Sequence, residues 1–492
     1  MSVSKGLPDT RQYSESSFHS HRGIRCCVRV CRGKICHSLT VALISSIARG
    51  LSTMNGPSDF HHTVHLDLKG APPRVSYFAE IFPLFRQWGA TSLLLEYEDM
   101  FPYQNDLKEL AAKHAYSKDD IQRIQQLAEQ NNLEVIPLIQ TFGHFEFVLK
   151  HEKFRKLREV AAYPTSLCPT HPDALDTVKL MIDQILSLHP RSHRFHIGAD
   201  EVYHIGFCER CKKTMTSENL TNQQMFFVHI EKVVKYVKCK YNHLTVLMWD
   251  DMMRFCELAL LKESKLGDLV EPMVWHYVTQ FVLPNDIWDR YSKVFPNIWF
   301  ASSFKGATSS SAYLTNIMYH VDNHLAWLSV INQEKHKFKK ICGITITGWQ
   351  RFDHFAVLCE MLPQALPSLA VCLHVLKCGT FNSDIHLTVS KELEFEPTLP
   401  LIPDRTIFPK CKFPGSDIYL QMLDFLRFEL DYNEYIHSDR RQTWMNDYNL
   451  QRGFLNPAHL QQLLDEALRF LPELTYRPYP DTLTLFKCLW TH

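Results

Sequence analysis

The chain has 492 residues, of which 45% are hydrophobic and 22% are charged, a composition typical of globular proteins. Lys and Arg number 53, as do Asp and Glu, so the formal net charge is zero. This balance excludes a bulk electrostatic attraction to nucleic acid or to an anionic membrane, and the length predicts one large domain with appendages.

The first 62 residues form a leader ahead of the first predicted strand. Residues 16–58 contain no Asp or Glu but several Arg and Ser, and an apolar run at 39–47 is too short to span a membrane. This composition is compatible with a transit peptide and weakly with a signal peptide, but no clear cleavage site follows. We expect a disordered leader, or an extension that precedes a natural start at Met54.

Strand patterns then alternate with helical patterns over residues 63–378. The strands are predicted at 63–69, 92–99, 134–141, from 194, 245–249, 272–277, 297–302 and 343–349. Helices are predicted at 75–88, 119–130, 146–160, 171–188, 223–240, 318–331 and 355–375. This alternation predicts an α/β chain folded as a (β/α)8 TIM barrel. A doubly wound open sheet is the alternative, but nothing in the chain resembles its glycine-rich phosphate loop.

The alternation stops after about residue 378. Five prolines between residues 392 and 415 indicate an extended connector, which we place at 379–415. Amphipathic patterns at 417–435 and 457–471 then predict a small helical appendage at 416–492. Their leucine and aromatic stripes are typical of packing surfaces.

The run from Arg194 to Val202 is predicted to be a short strand that leads into two adjacent carboxylates, Asp200 and Glu201. Like charges this close, at the end of a buried strand, push one pKa upward. We therefore expect one acid to stay protonated near neutral pH beside another that stays charged. The alternative for Asp200 alone is a helix N-cap.

Polar and aromatic side chains cluster where the predicted strands end. They are Asp67, Lys69, Glu96–Asp99, Gln140–His144, Asp200, Glu201, Trp249–Asp251, Trp275–Tyr277, Lys305 and Trp349–Asp353. In a TIM barrel the strand ends carry the chemistry, while a barrel kept only for stability would not need this asymmetry. The pattern predicts an enzyme.

Three of these strand ends carry tryptophan, namely Trp249, Trp275 and Trp349. Aromatic walls bind the flat C–H faces of sugar rings, while carboxylates and amides bind the hydroxyl groups. Core packing is the alternative for any one of them alone. Three beside an acid pair favour a carbohydrate site.

The sequence His196–Glu201 (HIGADE) resembles the H-x-G-[GA]-D-E signature of glycoside hydrolase family 20, the β-N-acetylhexosaminidases. Thr141–His144 resembles the P-G-H element of that family, with Phe142 in place of proline. The runs VHLDLKGAPP at Val64–Pro73 and GWQR at Gly348–Arg351 are similar to a subgroup that lacks the N-terminal domain of the lysosomal enzymes. The resemblance covers residues 63–378.

The resemblance implies substrate-assisted, retaining hydrolysis of terminal N-acetylhexosamine from an oligosaccharide or glycoconjugate. The 2-acetamido oxygen would attack the anomeric carbon and form an oxazolinium-like intermediate. Glu201 would protonate the leaving oxygen and then deprotonate water, Asp200 would hold the acetamide N–H, and His144 would orient both acids. Trp249, Trp275 and Trp349 would wall the sugar.

Several positions depart from the family pattern. Better-known members have an arginine where this chain has Lys69, which cannot form a bidentate fork, so Asp67 is expected to share hydroxyl binding. Tyr277 is the candidate for the tyrosine that those members place on strand seven. Gln350 stands in place of a glutamate, and Asp353 is a further substrate-binding candidate. The preference between galacto and gluco sugars stays open.

Two other functions remain possible at this point. A metal-dependent hydrolase could use His65, Asp67, His196, His276 and Asp353, but strand one lacks a His-x-His pair. The other is a catalytically inactive, carbohydrate-binding barrel. The presence of both acids argues against it.

Fifteen cysteines without paired spacing favour a reducing compartment over a disulfide framework. Cys208 and Cys211 form a lone C-x-x-C, whereas structural zinc needs four ligands, so we interpret them as loop thiols. We accordingly expect no metal, no cofactor, no nucleic-acid or membrane partner, and a cytoplasmic and nuclear location. The oligomeric state is not indicated.

Overall fold

The computed structural model describes residues 60–352, 356 and 358–437. Its strands are β1 (His61–Asp67), β2 (Ser92–Glu96), β3 (Glu134–Leu138), β4 (Arg158–Val160), β5 (Tyr163–Leu167), β6 (Arg194–His196), β7 (Thr245–Trp249), β8 (Glu271–Trp275), β9 (Asn297–Lys305) and β10 (Lys340–Gly348). All except β4 and β5 are parallel and close a barrel in the order β1-β10-β9-β8-β7-β6-β3-β2. The predicted TIM barrel is confirmed.

Helices follow most barrel strands and form the outer layer. They are α1 (Val75–Trp88), α2 (Lys118–Gln130), α3 (Glu146–Leu149), α4 (Ala174–Leu188), α5 (Glu209–Glu218), α6 (Asn222–Lys240), α7 (Leu258–Glu263), α8 (Ile287–Ser292), α9 (Ile317–Glu334), α10 (Leu362–Cys378), α11 (Ser383–Glu392) and α12 (Ser416–Ile436). Within the part of the chain that the structure describes, none of these helices combines the length and apolarity that crossing a membrane requires.

The barrel strands separate two hydrophobic layers. Alternate residues such as Val64 and Leu66 on β1 pack outward against the helices. A smaller apolar cluster fills the barrel interior and includes Trp249 and Trp299. Because parallel strands in a barrel are covered on both faces, β1 is buried at five consecutive residues, including the polar His65 and Asp67. These inward polar residues lead to the carboxyl ends of the strands.

The predicted helix at 146–160 is wrong after Leu149. A 3-10 turn follows, and β4 and β5 then form an antiparallel hairpin. The backbone N–H of Phe145 donates to Thr165 O at 3.0 Å, and that of Leu167 donates to Phe142 O at 3.1 Å. These tertiary hydrogen bonds hold the hairpin against the loop after β3. Because they join segments that are separated in sequence, the local hydrophobic pattern could not predict them.

The described part of the predicted appendage lies on the barrel's helical layer. Helix α12 packs on α10, burying Ile418, Tyr419 and Met422. The predicted connector contains an additional helix, α11. The leader and the predicted helix at 457–471 lie outside the described residues.

Candidate active site

The acid pair lies on a tight loop that begins where β6 ends. Ala199 and Glu201 both have positive φ angles, of 70° and 48°. A Cβ atom at Gly198 would lie 2.1 Å from Gln140 Oε1, and one at Gly143 would lie 2.1 Å from Asp200 O. Only glycine permits these approaches, so the two glycines allow the loops after β3 and β6 to pack together.

His144 is the residue that this packing brings to the acids. Its Nε2 lies 3.4 Å from Asp200 Oδ2 and 3.2 Å from Glu201 Oε2. Asp200 is buried, whereas the Glu201 side chain is one-third exposed. One imidazole nitrogen therefore bridges two carboxylates, and the more accessible one is Glu201.

Electrostatics within this group differ from the sequence prediction. Burial opposes a charge on His144, but the neighbouring Asp200 carboxylate and the hydrogen bonds to both acids hold the pKa of His144 well above its usual range. Burial alone would raise the pKa of Glu201, but the hydrogen bond and charge of His144 outweigh it and lower that pKa. The expected upward shift from carboxylate repulsion is thus wrong for Glu201, because a cation sits between the acids.

Next to the acid pair, the carboxyl group with a raised pKa is that of Asp251, which the sequence prediction did not assign to the site. Burial and the Asp200 charge raise its pKa to about 7. Its Oδ2 accepts a hydrogen bond from the Glu201 backbone N–H at 2.8 Å, and its Oδ1 accepts one from Trp275 Nε1 at 3.1 Å. Its place at the end of β7 was the available signal. Asp251 connects the acid loop to the aromatic residues.

A second charged group lies where β1 and β2 end. Lys69 Nζ lies 2.9 Å from Asp67 and 3.4 Å from Glu98. Asp67 also accepts the backbone N–H of Gln350 at 2.8 Å, which connects β1 to the end of β10. Burial raises the pKa of Glu98 to about 8, although Lys69 opposes that shift. The structure thus brings together the two predicted hydroxyl-binding residues, Asp67 and Lys69.

Three of the four predicted aromatic residues form a partly exposed wall. The Trp275 and Tyr277 rings stack with centroids 5.2 Å apart, and Tyr277 meets Trp349 edge-on at 6.5 Å. Trp249 instead has no exposed surface and packs against His196 at 4.5 Å and Trp349 at 6.1 Å. In this structure Trp249 supports the wall from the barrel interior, and its predicted contact with a sugar stays a prediction.

Comparison with known proteins assigns this arrangement to a family. Residues 82–353 match the catalytic domain of glycosyl hydrolase family 20. The chain is 42% identical over 428 residues to hexosaminidase D from Homo sapiens, covering 85% of this chain and 87% of that protein. It is 47% identical over 333 residues to hexosaminidase D from Bos taurus, covering 67% and 96% respectively. The chain belongs to glycosyl hydrolase family 20.

Membership of family 20 confirms the predicted class of enzyme, a glycoside hydrolase of the β-N-acetylhexosaminidase family. The solved β-N-acetylhexosaminidase from Bacteroides fragilis NCTC 9343 superposes with a TM-score of 0.50 at 14% identity, covering 72% of this chain and 76% of that one. At that identity the likeness concerns the fold alone.

The rival metal-hydrolase residues have other partners. His65 contacts Glu96 at 3.1 Å, His196 Nδ1 accepts the Gly198 N–H, and His276 Nε2 accepts the Val282 N–H. Asp353 lies outside the described residues. Among residues 60–352, 356 and 358–437, the mouth of this family 20 barrel brings no three His, Cys, Asp or Glu ligand atoms close enough to share a metal ion.

Proposed function

We propose that this chain is a retaining exo-β-N-acetylhexosaminidase that removes terminal N-acetylgalactosamine or N-acetylglucosamine from oligosaccharides or glycoconjugates. The 2-acetamido oxygen of the substrate attacks the anomeric carbon and forms an oxazolinium intermediate, which water then opens. No protein carboxylate bonds to carbon in this scheme.

The observation that carries the proposal is the bridge from His144 to the adjacent acids. Glu201, the more exposed carboxyl, receives a proton through His144, donates it to the leaving oxygen, and later accepts one from water. Asp200 is buried and stays close to the His144 cation, which suits a fixed charge that orients the acetamide N–H. Two adjacent acids with these separate tasks fit a reaction in which the substrate supplies the nucleophile.

Substrate recognition follows from two neighbouring groups at the mouth, since Lys69 Nζ lies 5.5 Å from the centre of the Trp349 ring. Trp275, Tyr277 and Trp349 offer aromatic surface to a sugar ring. The Tyr277 hydroxyl would bind the acetamide carbonyl in exchange for its hydrogen bonds to Thr347 and Trp349. Lys69 and Asp67 present a cation and an anion to the sugar hydroxyls. The relatives named hexosaminidase D support an N-acetylhexosamine as the sugar.

The direct test is turnover of a matched panel of chromogenic glycosides. N-Acetylgalactosaminides and N-acetylglucosaminides should be hydrolysed with retention of configuration, and the corresponding 2-hydroxy glycosides should hardly react. A thiazoline analogue should inhibit tightly because it resembles the cyclised intermediate. Trapping a sugar ester on Asp200 or Glu201 with a 2-fluoro glycoside would refute the scheme.

Asp200→Asn tests the role of the buried charge. The variant should lose about a hundredfold in kcat, on the order of 3 kcal/mol, since it removes the preorganised charge that offsets the oxazolinium. Asp268→Asn, on a surface turn, is the matched control and should leave kcat unchanged. Full activity in Asp200→Asn would contradict the assigned role.

We also propose that the enzyme acts in the cytoplasm and nucleus, on glycoconjugates there. The support is the cysteine pattern, which suits a reducing compartment. Fractionation of cells that express the untagged full chain should recover activity in cytosolic and nuclear fractions. Recovery in a secreted or lysosomal fraction would overturn this location.

A further inference from the structure

Three thiols and one carboxylate meet beside the acid loop, outside the machinery described above. Glu159 lies on β4, Cys168 directly follows β5, and Cys208 and Cys211 open helix α5. Their ligand atoms all lie within 4.8 Å of one another, and all but Cys208 are buried. The lone C-x-x-C of the sequence therefore acquires a third cysteine and an acid from a distant hairpin.

The spacing of these atoms suits a tetrahedral metal ion. Cys168 Sγ lies 3.5 Å from Cys208 Sγ and 3.6 Å from Cys211 Sγ, and Cys211 Sγ lies 3.1 Å from Glu159 Oε2. Tetrahedral zinc with Zn–S bonds of about 2.3 Å sets its sulfur ligands about 3.8 Å apart. Only small side-chain shifts separate the observed positions from that geometry.

Two contacts favour negative charge on Cys208 and Cys168, whereas burial raises the pKa of Cys208 and the hydrogen bond to Cys168 raises the pKa of Cys211. Cys208 Sγ caps helix α5 by accepting the Cys211 backbone N–H at 3.3 Å, so the positive end of that helix faces the cluster. Arg210 Nη1 lies 3.6 Å from Cys168 Sγ and offsets part of the charge of three thiolates and a carboxylate. Thiolates are the form that binds metal.

Glu159 is held in place as a ligand would be. Its Oε1 accepts the backbone N–H groups of Phe207 at 2.6 Å and Cys208 at 2.9 Å, which leaves Oε2 directed at the thiols. Such outer hydrogen bonds orient the ligating groups of metal sites. A carboxylate that served only to cap the Phe207–Cys208 turn would not need three cysteines at its second oxygen.

We infer that Glu159, Cys168, Cys208 and Cys211 bind one structural Zn²⁺ ion that ties the β4–β5 hairpin to the segment following the catalytic acids. Three sulfur ligands and one carboxylate favour zinc over magnesium or calcium, which prefer all-oxygen sites. The proposal departs from the interpretation of Cys208 and Cys211 as loop thiols, because folding brings them together with Glu159 and Cys168, which are distant in sequence.

The position explains why such a tie is useful to this enzyme. Glu201 and Cys208 are close in sequence, with only residues 202–207 between them. The same hairpin hydrogen-bonds to the loop that carries His144, through Phe145 N–H to Thr165 O, and Thr165 Oγ1 contacts His204 Nδ1 at 3.1 Å. A bound ion would therefore hold the loops of both His144 and Glu201 without touching the substrate.

Metal content is the first test, made on the full chain purified without chelators. Wild type should contain about one more zinc per chain than Cys208→Ser/Cys211→Ser, measured by elemental mass spectrometry. Cys239→Ser, which changes an exposed cysteine, should retain the wild-type zinc content. Equal zinc in wild type and the double variant, or a disulfide among Cys168, Cys208 and Cys211 in unreduced peptides, would overturn the proposal.

Three measurements on wild type keep the test valid if the double variant does not fold. A mercurial reagent should release zinc to a chromogenic dye, and Co²⁺ substitution should give thiolate-to-metal charge-transfer absorption. Removal of the ion should lower Tm by about 5 °C or more, reversed by adding Zn²⁺. Unchanged Tm with complete metal removal would show that the ion has no structural role.

Discussion

Two charged groups lie next to each other at the barrel mouth, after the neighbouring strands β2 and β3, and are neutralised in different ways. In the acid centre, which we define as His144, Asp200 and Glu201, an imidazole lies between two carboxylates. In the lysine cluster, which we define as Asp67, Lys69 and Glu98, the Lys69 ammonium group lies between two carboxyl groups. Histidine gives up its proton much more readily than lysine, so the cation of the acid centre is the one suited to proton transfer.

The difference also appears in the shifted pKa values. Lys69 is buried, but Asp67 and Glu98 hold its pKa well above the usual range, which fixes its charge. The pKa values of His144 and Glu201 are shifted in opposite directions, which keeps the proton on the imidazole and the negative charge on Glu201. We therefore propose that proton transfer occurs at the acid centre and hydroxyl binding at the lysine cluster.

The largest expected effect comes from removing the transferable proton. Glu201→Gln should lower kcat by about a thousandfold on glycosides with poor leaving groups, because an amide cannot protonate the leaving oxygen. The change is isosteric, so Tm should stay close to wild type. Glu263→Gln, at an exposed position on α7, is the control. Activity within a few-fold of wild type would reassign the acid.

The sequence alone predicted the barrel and most of the mouth. Parallel strands that are buried on both faces appear in the sequence as short apolar runs, which is why the eight strands could be predicted. The family motif at His196–Glu201 follows directly from one of these strands. Asp251 was not assigned because its raised pKa depends on burial and on the charge of Asp200, which is 51 positions earlier. The same holds for the thiol cluster, whose ligands come from the β4–β5 hairpin and α5. Such pairings exist only after folding.

A change at His144 should have the next largest effect, seen chiefly as a pH shift. In wild type the alkaline limb of kcat/KM should follow loss of the proton held by His144, whose pKa is raised well above its usual value. In His144→Asn the limb should follow Glu201 alone and move to lower pH. Each unit of movement costs about tenfold at alkaline pH.

Exposed His243 provides the control for that experiment. His243→Asn should leave the pH profile of kcat/KM unchanged. A profile for His144→Asn that is lower but not displaced would mean that His144 only positions the acids and does not hold the proton.

The smallest effect is expected in the lysine cluster, where no proton is transferred. Lys69→Met should raise KM and lower kcat/KM by about tenfold, the low end for one charge-assisted hydrogen bond, with kcat changed less. Its alkaline limb should stay in place, unlike that of His144→Asn. Lys262→Met, on the exposed face of α7, is the control.

The loss of the Lys69 charge should also make the stability of Lys69→Met depend on pH. Burial raises the pKa of Glu98 to about 8, and Lys69 opposes that rise, so Lys69→Met should raise it further. A carboxyl group whose pKa is higher in the folded state destabilises the fold progressively as pH rises from its unfolded value through its folded value. The Tm deficit of Lys69→Met should therefore widen from weakly acidic to weakly alkaline buffer. A deficit independent of pH would mean that Lys69 contributes packing and does not neutralise Glu98.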